Sequence, residues 1–255
     1  MNFNSLPMNK AKVAEGINVN LPDFLIIGVI RGGTTSLFNY LITHSRIEGS
    51  MKNEPGCFNK EPHFFDMRYE KGIDWYKSWF PKREPDELLC EATPHYLVRQ
   101  LVPARVYHWL PKAKFIALLR NPTVRAWSHY CHRKRSYHLT IENLKCLEDN
   151  LIRFGVYAGH LKEWFKYFPK KRFLILKSED FFYDSRKIVD KCTEFLGVFN
   201  LRLKKYEIYD PLKKSGINYE IEYPKIPDDI KEYLDRFYRP HNQELYKLLG
   251  KDMEW

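Results

Sequence analysis

The segment from Phe24 to Leu37, FLIIGVIRGGTTSL, constrains the fold more than any other part of the chain. Its continuous apolar run suits a strand buried on both faces of a parallel sheet. A Gly-rich turn follows, and TTSLFNYLITH then has the apolar spacing of a helix. Strand, glycine turn and helix open a βαβ unit. Backbone N–H groups of such a turn, backed by a helix N-terminus, form an anion cradle. Thr34, Thr35 and Ser36 add hydroxyl donors, and Arg31 places a cation inside the turn. The plainer alternative, glycines needed only for turn geometry, does not account for the strand and helix that frame the turn.

Other apolar runs repeat the pattern. Residues 87–93, 113–120 and 172–180 read as strands, each followed by a helical segment, which predicts an α/β fold with a central parallel sheet covered on both faces. Asn121 is placed to cap a helix whose first turn holds Pro122. The stretch from Phe181 reads as one helix closed by Gly197, and the C-terminal region as two short helices broken at Pro240. Residues 1–22 are expected to form an arm ahead of a single domain over 23–255. The longest apolar runs have about seven residues, against the roughly 20 of a membrane span, so no span is expected. Five cysteines at scattered spacings fit a reducing compartment, and the N-terminus lacks an apolar signal region. Both point to a cytoplasmic protein.

The formal net charge of +10 favours anionic ligands without choosing among them. A nucleic-acid module would expose stacking aromatics along a basic stripe. Here the aromatics sit mostly in apolar runs, so no nucleic-acid partner is expected. A nucleotide kinase loop is the nearer comparison. Gly28 and Gly33 have its glycine spacing and Thr35 fills its last position, but Thr34 stands where the phosphate-binding lysine belongs.

Several further segments, taken in order, make the chain resemble the sulfotransferases that use 3′-phosphoadenosine 5′-phosphosulfate (PAPS), of the heparan-sulfate type and their bacterial relatives. IIGVIRGGTTSL is similar to their 5′-phosphosulfate loop, KEPHFFD (60–66) to their catalytic segment, EATPHYL (91–97) to a Glu-x-Thr-Pro segment, and KFIALLRNPTVRAWSHY (114–130) to their 3′-phosphate motif. The resemblance implies a three-layer αβα fold and sulfuryl transfer to a hydroxyl or amine of a small-molecule, lipid or glycan acceptor. It implies Glu61 as base, with Lys60 and His63 steadying charge beside it. PAPS would be held by Arg31, Gly32, Gly33, Thr34, Thr35 and Ser36 at its 5′ end, and by Arg120 and Ser128 at its 3′-phosphate. Tyr157, Lys213, Lys214 and Gly216 match further nucleotide-contacting positions. The family often has lysine at Arg31. Arginine keeps the charge and gains forked geometry but does not deprotonate, so its role is electrostatic.

A sulfonate carries less charge than a terminal phosphoryl group, so cations and helix N–H groups suffice and no metal is expected. His129 and His132 stand one helical turn apart without a carboxylate to complete a metal site. His95 departs from the family, which usually has a small residue there, and is expected to face the acceptor. Val124, where an acid is common, is expected to alter only local packing. The competing classes are a P-loop-type nucleotide kinase and a non-catalytic protein that binds anionic ligands.

Overall fold

The computed structural model describes residues 20–52, 60–137, 151–198 and 224–255. Five strands form one parallel sheet: β1 (Phe24–Gly28), β2 (Ile47–Gly49), β3 (Leu88–Glu91), β4 (Lys114–Leu119) and β5 (Phe173–Lys177), in the order β2-β3-β1-β4-β5. The short edge strand β2 is absent from the sequence reading, because three residues carry no periodic signal of their own.

Side-chain alternation along the central strands divides the core. Leu25, Ile27, Phe115, Ala117 and Leu119 pack with Phe64, Phe65, Trp79, Leu97, Tyr157 and Trp164 on one face. Phe24, Ile26, Ile116 and Leu118 pack with Leu37, Phe38, Leu41, Ile188, Val189 and Cys192 on the other. Helix α1 (Thr34–Leu41) belongs to the second face, whereas α2 (Phe64–Met67), α3 (Gly72–Lys77) and α4 (Val102–Trp109) belong to the first. This is the three-layer αβα arrangement, and it explains why β1 and β4 read as unbroken apolar runs.

Helix α5 (Pro122–Tyr137) starts as expected: the Asn121 Oδ1 accepts hydrogen bonds from Thr123 N at 3.0 Å and Val124 N at 3.2 Å. Val124 is exposed. After α6 (Tyr157–Phe165) and β5 the sequence reading needs two corrections. The expected single helix is divided into α7 (Ser178–Tyr183) and α8 (Ser185–Leu196), because Asp184 leaves helical geometry and its carboxylate caps Lys187 N. Gly197 closes α8 in the left-handed conformation. The two expected C-terminal helices are one, α9 (Asp228–Leu249), with Pro240 inside. Ile230, Leu234, Tyr238, Asn242 and Leu245 form a buried stripe that runs past the proline, and this burial outweighs the lost backbone bond. Among the described residues no helix is long and apolar enough to cross a membrane.

The topology fixes the position of the site. From β1 the chain moves outward to β2 and returns through β3; it then crosses to β4 on the opposite side of β1. The carboxyl ends of β1 and β4 therefore flank the switch point, where open α/β sheets bind ligands.

Candidate active site

The turn after β1 is held by main-chain contacts. Val29 N donates to Leu118 O at 3.0 Å, and Gly32 N to Val29 O at 2.9 Å. A Cβ on Gly32 would lie 2.7 Å from Leu118 O, so only glycine lets the turn pack against β4. Gly33 has φ 94° and caps α1 without a side-chain bond. The first-turn N–H groups of Thr34, Thr35 and Ser36 consequently open toward the turn. Ser178, at the start of α7, donates its hydroxyl to Gly32 O at 2.8 Å and fixes the turn from the β5 side.

Arg31 lies within this turn at φ 67°. Its Nε donates to Ser128 Oγ at 3.2 Å, and the Arg120 guanidinium donates to Arg31 O at 2.9 Å. Arg120 follows β4 and Ser128 lies on α5, so the two expected anion-binding groups adjoin each other across the switch point. Tyr157 is buried: its hydroxyl donates to Arg120 O at 2.7 Å and its ring packs edge-on against Trp255. Tyr157 thus supports the backbone of Arg120, the residue expected at the 3′-phosphate. Lys213, Lys214 and Gly216 lie outside the described residues.

The second half of the site is the segment 60–66. Lys60 and Glu61 form a buried ion pair through Oε1, and His63 Nε2 lies 3.3 Å from Glu61 Oε2. The other ring nitrogen of His63, Nδ1, lies 3.1 Å from Asp66, whose side chain is buried. Lys60, Glu61, His63 and Asp66 thus form a row of alternating charge. Burial opposes the ionised form of Glu61, but the hydrogen bond from His63 and the charge of Lys60 outweigh it and lower its pKa to about 2. Burial likewise opposes protonation of His63, and its bonds to Asp66 and Glu61 win, raising it to about 9.

This segment is tied to the end of β3. Ala92 N donates to Lys60 O at 2.9 Å. Beside it Glu91, fully buried, accepts hydrogen bonds from Tyr76 OH at 2.6 Å, Thr93 Oγ1 at 2.5 Å and Tyr96 OH at 3.1 Å. Burial pushes Glu91 up to about 7 in spite of these donors. Phe65 N donates to Tyr96 OH at 3.3 Å, which carries the network back into the segment 60–66.

Two histidines connect the halves. The His95 ring lies 5.2 Å from that of His63, and Phe154 packs against both His95 and His129 at centroid distances of 6.3 and 6.1 Å. Burial, aided by the charge of His63, lowers His95 to about 4. Burial and the charges of Arg125 and Arg133 hold His129 down at about 2. Both rings are neutral, and each has a buried Nδ1 without a hydrogen-bond partner. His132 points outward and is exposed, so helical spacing does not make it a partner of the buried His129.

Sequence reasoning missed Asp66, Glu91, His129 and Phe154. Asp66 had a local signal, an acid three residues after His63 and inside the quoted motif. The other three depend on contacts between distant segments.

A family model described as the sulfotransferase domain matches residues 21–241. The chain belongs to the sulfotransferase domain family. Curated relatives include mouse heparan sulfate glucosamine 3-O-sulfotransferase 6, 30% identical over 92% of this chain and 73% of that protein. The sulfotransferase chain is also 30% identical to the human bifunctional heparan sulfate N-deacetylase/N-sulfotransferase 3, over 91% of its own length and 30% of that protein. The crystal structure of a sulfotransferase from Alicyclobacillus acidocaldarius superimposes on it with TM-score 0.75 and 25% identity, covering 92% of this chain and 98% of that one. The protein is therefore a PAPS-dependent sulfotransferase, which removes the kinase and the non-catalytic binding protein from consideration.

Proposed function

We propose that this sulfotransferase uses Glu61 as the general base and holds PAPS across the switch point between β1 and β4. The observation that carries this reading is the row Lys60–Glu61–His63–Asp66, anchored at the end of β3, the strand next to β1, whose following turn contains Arg31. PAPS supplies the sulfuryl group: a bond from the acceptor oxygen or nitrogen to sulfur would form as the bond from sulfur to the 5′-phosphate oxygen breaks, releasing 3′,5′-ADP. Arg31, the hydroxyls of Thr34, Thr35 and Ser36 and the first N–H groups of α1 suit its 5′-phosphosulfate, and Arg120 with Ser128 suits the 3′-phosphate. Gly32 and Gly33 give the turn its shape. Glu61 takes the proton of the acceptor hydroxyl or amine at a carboxylate oxygen. His63, clamped by Asp66, keeps that carboxylate oriented.

A carboxylate lowered to about 2 is a weak base. The cause of the lowering also provides the remedy. Lys60 is paired with Glu61, and an anionic sulfonate competes for its ammonium group. As Lys60 shifts toward that charge, Glu61 gains proton affinity at the moment it is needed. Neutralisation by Lys60 and Arg31 makes a divalent metal unnecessary for transfer, so turnover in excess EDTA should equal turnover without it.

The acceptor is proposed to be a small molecule, lipid or glycan bearing a hydroxyl or amine. Support comes from relatives named for both O- and N-sulfation of heparan sulfate. Screening metabolite extracts with labelled PAPS would identify it. A cytoplasmic location is proposed from the buried free thiols of Cys90 and Cys192. Recovery of the protein in a membrane or secreted fraction would contradict this.

The decisive experiment is Glu61→Gln. Loss of a general base costs roughly 10²- to 10⁴-fold in turnover, whereas thermal stabilisation by 3′,5′-ADP should remain. Near-normal turnover would refute the assignment.

A further inference from the structure

The base segment also contains an arrangement that proton transfer does not require. One ligand atom each from Glu61, His63 and His95 lies within 4.8 Å of the other two. Two of these atoms, Glu61 Oε2 and His63 Nε2, are 3.3 Å apart. Tetrahedral zinc with bonds of about 2.0–2.1 Å holds its ligand atoms about 3.3–3.4 Å from one another. This edge of a tetrahedron is therefore already formed, and only His95 has to move inward.

The surroundings suit a metal ion as well. Metal-bound histidines usually engage their second ring nitrogen with a carboxylate, which fixes the ring and raises its basicity. His63 Nδ1 does this with Asp66, whose side chain is buried. The ion pair with Lys60 uses Oε1 of Glu61, and Oε2 accepts from His63 Nε2, so an incoming ion would take the place of the one proton shared between those two atoms. His95 supplies the observation that stands apart from the cluster. Its Nδ1 is buried and has no hydrogen-bond partner, so the fold places an imidazole beside His63 without using all of its polar capacity. Two imidazoles and one carboxylate select a divalent transition ion over Mg²⁺ or Ca²⁺, which prefer all-oxygen ligands.

We propose that Glu61, His63 and His95 bind a divalent ion of the zinc class, and that the bound ion switches the enzyme off. Binding rests on the three side chains alone. Inhibition rests on the reading of Glu61 as base: an ion bound at Oε2 draws charge from the carboxylate that would receive the acceptor proton. The site is thus distinct in purpose from a catalytic metal centre, since transfer proceeds without the ion.

Co²⁺ serves as the spectroscopic probe. Adding it to chelator-treated full-length protein should give visible d–d bands of a four-coordinate complex that saturate at one ion per chain. The bands should be lost in His95→Ala and in His63→Ala but kept in His132→Ala, which alters an exposed histidine. Thermal stabilisation by 3′,5′-ADP in each variant shows that it is folded. No bands in the unaltered protein, or undiminished bands in a folded His95→Ala, would overturn the site. In a second arm, Zn²⁺ at saturation should lower transfer of labelled sulfate from PAPS to an acceptor mixture at least tenfold, and EDTA should restore it. Normal or faster transfer with the ion bound would overturn the inhibition while leaving the site intact. The failure of the base reading is recognised separately, by a Glu61→Gln variant that turns over.

Discussion

The two halves of the active site are held by different means. The turn after β1 is mainly a backbone structure: one main-chain bond to β4, one within the turn and a close approach at Gly32 define it, with the Ser178 hydroxyl and the Arg120 guanidinium bonded to its carbonyls. The segment 60–66 lies outside the sheet and is held mainly by side chains. Its shape depends on a buried carboxylate, Glu91, that collects three hydroxyl donors and shares Tyr96 with Phe65. A backbone cradle resists most substitutions except those at glycine. A buried polar network is more exposed to single changes, because each lost donor or charge leaves partners unsatisfied. The cofactor half should therefore tolerate changes in pH that strain the base half.

The largest test of that contrast is at Glu91. Its folded-state pKa of about 7 lies above the ordinary 4.5. Its stabilising contribution is thus complete below pH 4.5 and is lost as pH rises through 7. Two and a half units correspond to something on the order of 3 kcal/mol. Glu91→Gln should remove most of this dependence, so the stability of variant relative to parent rises between pH 5 and pH 8. Denaturant unfolding at the two values measures it, and an unchanged difference would mean that the network does not penalise the ionised carboxylate.

An intermediate effect is expected at Arg120. Charge-assisted hydrogen bonds contribute roughly 1.5–3 kcal/mol, so Arg120→Ala should weaken 3′,5′-ADP binding about ten- to a hundredfold by calorimetry. Unfolding midpoints should move little. Equal losses of binding and stability would show that the cradle is less independent of its side chains than its backbone contacts imply.

The smallest effect separates support from contact. Tyr157→Phe deletes one hydroxyl that donates to Arg120 O. The cost of a neutral hydrogen bond, about 0.5–1.5 kcal/mol, predicts roughly two- to tenfold weaker 3′,5′-ADP binding. A loss as large as that of Arg120→Ala would place the phenol against the nucleotide after all.

The same contrast governs what could be read from sequence. The β1 turn was legible because its determinants are adjacent: an apolar run, glycines and a helix start. The capping of α5 by Asn121 was legible for the same reason. Glu61, Lys60 and His63 became visible only through a family resemblance, since a loop acid and a histidine have plainer explanations when taken alone. Glu91 was quoted within a motif, yet its role needed Tyr76 and Tyr96, which the fold brings in from separate elements. At Pro240 a strong local rule misled, because tertiary burial along α9 overrode it. At Asp184 two local rules compete, since an aspartate can cap a helix as well as continue one, and capping prevails.

Arg31 occupies the left-handed region at φ 67°, a conformation that glycine adopts freely and other residues enter at a cost of about 1–2 kcal/mol. The residue proposed to face the transferring group is thus one that the backbone alone would exchange for glycine. At this position selection for a robust fold and selection for turnover pull in opposite directions. A charged side chain there costs the fold backbone strain that the proposed electrostatic role would explain.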